Sequence, residues 1–427
     1  MKKARTERLA LLRLGMVSIV WLAGNTYGQP ESSVALRQVV EPAPIRGWVA
    51  AEGGGMGGCE GWTEEYFGWM VERAKGVAAG GKVRAVVLGA VPLDEPDERL
   101  KVLEDLGAEA TGLVVDQSNA DSVGVAEALA AADLIFIRGG DQSRYVNWWR
   151  GTLTESAIRG VFERGGVIGG TSAGCAILGE VSFDARIDSL SSVEALTDAR
   201  HPNITITRDF LGLVPGVMFD SHFGERSRLA RGAVLLAHAN EQSGPGDPLA
   251  VWRRDRGKKP IRLMGVDPCT AVMVASDGSV SIMGRGRVTT LLQSGETTVS
   301  LEAGKPPMVG PLVYSAQDAA ARGDFTGVHR GTPPEAVSIL ATTWDRKGSA
   351  ELETFLTEGG AKGDLRVVGM HPMTATLEGS MVRLGSENPA PVSALVIDVG
   401  GFGVPGYPHG TGRLWVVPVS GKLDLKH

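Results

Sequence analysis

Gly170-Thr171-Ser172-Ala173-Gly174 sets a serine between two glycines, after the run Gly166-Val167-Ile168-Gly169-Gly170 and ahead of Cys175-Ala176-Ile177-Leu178. A strand, a tight turn and an apolar segment in that order push the hydroxyl out of the sheet's edge, with the Ala173 N–H beside it. Such a serine is a weak nucleophile until a base takes its proton and N–H donors receive the charge on the attacked carbonyl oxygen. Gly-x-Ser-x-Gly also arises by chance in a chain with 59 glycines, as a turn whose serine bonds only its own backbone. The strand ahead of it gives the pattern its weight.

A base is offered by Val217-Met218-Phe219-Asp220-Ser221-His222, where His222 ends an apolar stretch 50 residues beyond Ser172. Arg226 and Arg228 follow and suit a carboxylate-bearing substrate. A histidine at a strand end also serves purely structural ends. Asp220 and His222 alternate onto one strand face and could share a metal, but no third ligand and no zinc spacing accompanies them, so no metal and no cofactor is expected. A second cluster, Arg138-Gly139-Gly140-Asp141-Gln142-Ser143-Arg144, follows another apolar run. Its glycines let backbone N–H groups come close to a substrate, and Gln142 and Arg144 can bind polar or anionic groups. The same residues also read as an ordinary turn with Asp141 capping a helix.

The elements that position these residues alternate. Strands are expected at Trp48–Ala51, Val83–Leu88, Gly112–Asp116 and Leu134–Ile137, and helices at Asp94–Leu106, Asp121–Ala131 and Glu155–Arg164. This order implies a mostly parallel sheet sandwiched by helices, an α/β fold with its ligand at the carboxyl ends of the strands. Glu52-Gly53-Gly54-Gly55-Met56-Gly57-Gly58 follows the first strand. It lacks the Lys-Ser/Thr of a P-loop and the spacing of a dinucleotide fingerprint, so it reads as a tight turn at the sheet edge. Residues 315–427 form a C-terminal extension, small, β-rich and separately packed, with a helix at Glu335–Thr343 and strands at Leu365–Met370, Ala394–Asp398 and Arg413–Val417. Binding and homodimerisation are its candidate roles.

Residues 1–28 read as a signal peptide: Lys2, Lys3, Arg5 and Arg8 head an apolar stretch from Leu14 to Ala23, too short to span a bilayer comfortably, followed by small residues up to Gly28. A secreted or periplasmic chain without a membrane span is expected. That segment carries five basic side chains and one acidic, so its removal takes the net charge from −6 to −10. An acidic chain lacks the basic face that nucleic acid demands. Cys59, Cys175 and Cys269 are too few for a disulfide-built scaffold; one bridge is allowed, and Cys175 reads as a small packed side chain.

Gly-Thr-Ser-Ala-Gly, the earlier Gly-Gly-Asp-Gln (residues 139–142), and Leu213-Val-Pro-Gly-Val-Met-Phe-Asp-Ser-His-Phe223 with Arg226 and Arg228 together resemble the cyanophycinases, members of the S51 serine peptidases. The resemblance covers about residues 45–295, within a domain at 29–314. It implies a class I glutamine-amidotransferase-like fold and exopeptidase cleavage of cyanophycin, a poly-aspartate with arginine on each β-carboxyl, to β-aspartyl-arginine. It further implies Ser172 as nucleophile, His222 as base, and Ala173 with Gly139 and Gly140 as oxyanion hole. Gln142, Arg226 and Arg228 would hold the peptide or polymer substrate. The family's acid lies between serine and histidine, which points to Glu194, with Asp188 second. The chain departs at Ser221 and Glu225, where cyanophycinases usually carry glutamine. An esterase of the α/β-hydrolase type and a catalytically inactive binding protein are the rival functions.

Overall fold

The computed structural model describes residues 45–92, 97–226, 228–241 and 260–319, and further strands within 338–418. The segment 1–28 lies outside the described residues. The strands β1 (Trp48–Glu52), β2 (Arg84–Gly89), β3 (Glu109–Val114), β4 (Leu134–Ile137) and β5 (Val167–Thr171) run parallel in the order β1-β5-β4-β2-β3. Val86, Leu88, Ile135 and Ile137 face one core, whereas Ala85, Val87, Leu134 and Phe136 face another. Burial on both faces explains why these strands read as continuous apolar runs rather than alternating ones.

Helix α1 (Trp62–Ala74) covers one face with Trp62, Tyr66, Phe67 and Met70, spaced by three and four residues. The Tyr66 hydroxyl donates to Ala50 O at 2.7 Å and ties the helix to β1. The expected helices fall at α2 (Glu98–Asp105), α3 (Val123–Ala130) and, after α4 (Gln142–Trp149), α5 (Leu153–Glu163). Helix α6 (Ala173–Ala176) follows β5 directly, so Ser172 stands at the strand-to-helix turn.

A second sheet carries β6 (Gly179–Phe183), parallel to β8 (Val214–Asp220), which is parallel to β9 (Arg262–Val266); β7 (Ile206–Thr207) lies at its edge. Along β8 and β9, Val217, Phe219, Met264 and Val266 join the core shared with the first sheet. Met218 and Leu263 point the other way, beneath the helices α7 (Ser192–Thr197) and α8 (Leu229–Asn240), the second of which is almost wholly buried. Strands β10 (Thr270–Val274) and β11 (Val280–Gly284) return antiparallel to the first sheet, beside β1. Long strands β12 (Arg287–Ser300) and β13 (Met308–Asp318) extend the second.

The extension corrects two expectations. Ser338–Thr342 is a strand, β14, and not part of a helix: it pairs antiparallel with β15 (Leu365–Val368), and a short hairpin of β16 (Thr374–Glu378) and β17 (Met381–Gly385) follows. The extension is not packed separately either. Strand β18 (Ser393–Val399) pairs with both β14 and β19 (Gly410–Pro418), and β19 pairs with β13, which makes one ten-stranded sheet. Leu414 and Val416, alternate residues of β19, are buried in the second core. Non-local pairing outweighs local helix preference here.

Candidate active site

The turn at Ser172 is held open by sterics. Its φ of 52° and ψ of −112° lie where side chains are seldom found, a strain that a strand-to-helix nucleophile turn imposes. The flanking glycines are required because the backbone folds onto itself: a side-chain carbon on Gly170 would sit 2.5 Å from Gly174 C, and one on Gly174 would sit 2.2 Å from Ile137 O. Ser172 N–H donates to Glu52 O at 3.0 Å, which fastens the turn to the end of β1.

His222 meets this serine from the end of β8. Its Nε2 lies 2.9 Å from Ser172 Oγ. Its Nδ1 lies 2.6 Å from Glu225 Oε2. A carboxylate only accepts, so Nδ1 carries the proton and donates to Glu225, which leaves the Nε2 lone pair to accept the Ser172 hydroxyl. Burial, reinforced by the Arg226 guanidinium, pushes the imidazole down to about 4, while Glu225 pulls the other way. The ring is thus a neutral base throughout the neutral range.

His222 is itself strained, at φ 47°, and its N–H donates to Gly53 O at 2.7 Å. The turn after it is pinned by Phe223 N–H to Val266 O at 3.1 Å and Gly224 N–H to Asp267 Oδ1 at 2.7 Å. That turn brings Glu225 back over the imidazole. Gly54 must be glycine, with φ at 110° and a side-chain carbon there falling 2.2 Å from His222 Nε2.

Gly139 packs against the serine, since a side-chain carbon on it would lie 3.2 Å from Ser172 Cβ. The Tyr145 hydroxyl lies 2.8 Å from Arg138 O and 3.0 Å from Gly139 O. A trans peptide carries its N–H opposite its C=O, so the Gly139 and Gly140 N–H groups point away from Tyr145. Asp141 caps α4 by accepting from Ser143 N–H at 2.9 Å. Gln142, half-buried, reaches Phe183 O at 3.5 Å, and Arg226 is exposed beside His222.

Three expected residues stand elsewhere. Glu194 is not on the histidine: it closes a capping box at the start of α7, taking Ser191 N–H at 2.7 Å while Ser191 Oγ takes its own N–H at 3.1 Å. Its remaining contact is His201, at 4.0 Å. Asp188 is exposed on a loop and bonds Ser189 N–H at 2.6 Å. Arg228 is buried, donating to Ser221 O at 2.7 Å and pairing with Asp220 at 3.5 Å. Asp220 also takes Arg231 Nε at 3.0 Å. Burial raises the Asp220 carboxyl, but Arg231 and Arg228 outweigh it and hold the group below its ordinary range. Asp220, the carboxylate weighed beside His222 for a metal, is thus taken up by this buried ion cluster.

Glu225 is the residue sequence reasoning passed over, read as a substitution next to substrate. A carboxylate three residues after a histidine was the available signal. The cysteines pair as Cys59–Cys269, a bridge across 210 residues that joins the glycine loop to the start of β10. Cys175 is free and buried, and burial pushes its thiol up, away from reactivity.

Comparison with known proteins bears on this arrangement. The model of Peptidase family S51 matches residues 97–249. A cyanophycinase of Synechococcus elongatus and one of Thermosynechococcus vestitus are each 32% identical over 215 residues, covering 48% of this chain and 58% of theirs. The chain thus spans less than two thirds of the length of these two relatives. Among solved structures, a peptidase from an acI-B1 Actinobacterium is 20% identical with a TM-score of 0.41, over 58% of this chain and 91% of that one. Ser172, His222 and Glu225 all lie within the segment that matches the model of Peptidase family S51, and the chain is similar to these cyanophycinases.

Proposed function

We propose that the chain is an exported serine-type exopeptidase that hydrolyses cyanophycin or related β-aspartyl peptides through Ser172, His222 and Glu225. The carrying observation is the 2.9 Å approach of His222 Nε2 to a serine on a strained turn. Ser172 Oγ attacks the carbonyl carbon as its proton passes to Nε2, and Glu225 offsets the charge of the imidazolium. The oxyanion is received by the Ala173 N–H and the Gly139–Gly140 turn. The C–N bond then breaks, Nε2 returns its proton to the leaving amine, and an acyl-ester remains on Ser172. Water, deprotonated by the same nitrogen, cleaves the ester and frees the serine.

Arg226, exposed at the histidine turn, suits a substrate carboxylate. Export is supported by the Cys59–Cys269 bridge, which persists in oxidising compartments, and by the basic-then-apolar start of the chain. The test is incubation with cyanophycin and with β-aspartyl-arginine, products identified by mass spectrometry. Ser172→Ala is expected to lower turnover at least a thousandfold in a folded protein. Equal hydrolysis by parent and variant refutes the assignment. Cleavage of simple esters alone would mark an esterase, and no turnover of any substrate by the folded parent would mark a binding protein.

A further inference from the structure

Three residues with positive φ, Ser172, His222 and Cys269, are joined to the exit of β1. Their N–H groups donate to three consecutive carbonyls: Ser172 to Glu52 at 3.0 Å, His222 to Gly53 at 2.7 Å and Cys269 to Gly54 at 2.8 Å. The nucleophile and its base are therefore both hung on one short stretch of backbone, the exit of β1. Whatever fixes residues 52–54 fixes the distance between Ser172 and His222.

The Glu52 side chain does this. It is fully buried, and its carboxyl takes Gly54 N–H at 2.9 Å, Trp62 Nε1–H at 3.3 Å and a short contact from the Thr171 hydroxyl. Thr171 is the residue before the nucleophile, and Gly54 is the residue against the His222 ring. Among the described residues no basic side chain joins those contacts, and Tyr66 from α1 and Cys175 from α6 feel the Glu52 charge. Burial pushes the carboxyl up to about 8, against the hydrogen bonds it accepts. A buried carboxyl without a counter-ion is a costly way to fill space that an apolar side chain could occupy. Its bonds converge on both halves of the Ser–His pair.

We propose that Glu52 is a positioning residue, whose carboxyl locks the β1 exit so that Ser172 and His222 stay within hydrogen-bond reach. The inference rests on the serine-peptidase reading for its kinetic consequence, but its geometry stands apart from that reading. Glu52 and Gly54 both precede the segment matched by the S51 family model.

The test compares Glu52→Ala, Glu52→Gln and Thr171→Val with the parent by kcat, KM and crystal structure. Displacing reacting atoms by about 1 Å costs on the order of a hundredfold, so Glu52→Ala is expected to lower kcat about a hundredfold with KM within about threefold. Glutamine mimics the neutral acid and is expected to restore kcat to within about tenfold of the parent. In the Glu52→Ala crystal, Ser172 Oγ and His222 Nε2 are expected beyond about 3.5 Å. The proposal is overturned if Glu52→Ala keeps kcat within about threefold of the parent, or if the two atoms stay at 2.9 Å. Should Glu52→Ala not fold, Thr171→Val decides: a tenfold or greater fall in kcat at constant KM supports the proposal, and an unchanged kcat overturns it. If the parent turns over no substrate, the peptidase reading fails and the interatomic distance alone settles Glu52.

Discussion

Glutamine at Glu225 changes one oxygen to nitrogen and leaves an acceptor for His222 Nδ1–H, so it removes charge while keeping shape. The imidazole is uncharged before attack and an imidazolium afterwards, and the carboxylate matters chiefly in the second state. The side chains of His222 and Glu225 are 13% and 20% exposed, which keeps water from screening the pair fully. With Nδ1 and Oε2 at 2.6 Å, the charge centres lie roughly 4 Å apart, and at an effective dielectric near 20 their attraction is about 4 kcal/mol. Its loss corresponds to about a thousandfold in kcat/KM. Glu194→Gln, by contrast, loosens a helix cap by at most about 1 kcal/mol of stability and leaves turnover within about twofold.

The pH profile gives a second reading of the same variant. In the parent, the acid limb of kcat/KM should fall near pH 4, where His222 takes up a proton and ceases to be a base. Glu225 favours the protonated ring, so Glu225→Gln moves the limb lower still. Steady-state kinetics on cyanophycin from pH 3 to pH 9 measures both effects. The reasoning fails if Glu225→Gln stays within tenfold of the parent while Glu194→Gln loses more, or if the limb moves upward.

Two further perturbations probe the same loop. Gly54→Ala drives a methyl into His222 Nε2, at 2.2 Å on the present backbone, so kcat should fall at least a hundredfold in a protein that still folds; a crystal structure with the imidazole unmoved and full activity would contradict it. Reduction of Cys59–Cys269, or Cys59→Ser, reopens a loop of 210 residues, for which chain entropy predicts a loss on the order of 5 kcal/mol; a lower Tm in reductant, with kcat falling alongside because Cys269 N–H holds Gly54 O, is expected by scanning fluorimetry and kinetics, and an unchanged Tm after thiol titration proves reduction would count against it.

Local chemistry was legible where it is written in adjacent residues. The elbow at Ser172, the strand that ends in His222 and the doubly buried run Leu134–Ile137 each follow from short-range pattern, and the structure has them as strand-to-helix turn, strand end and central strand. Pairing across long separations was not legible. Strand character in Arg413–Val417 is visible in its alternation, yet nothing local says that Leu414 lies opposite Leu312. Nor does spacing join Cys59 to Cys269. Glu52 looked like the first residue of a glycine turn because its partners come from Thr171 and Trp62, on other elements.

Glu194 misled for a reason that sequence could have supplied. Ser191-x-x-Glu194 is a capping-box pattern, and a glutamate already committed to its own helix terminus has no reason to reach a distant imidazole. Glu225 needs no long-range coincidence at all. A histidine at positive φ, with its own N–H anchored to Gly53 O, starts a tight turn, and that turn carries the third following residue back over the ring. The acid that orients a strand-end histidine is therefore sought first in the turn leaving that histidine. A carboxylate placed there costs the least chain entropy to hold and moves with the base it serves.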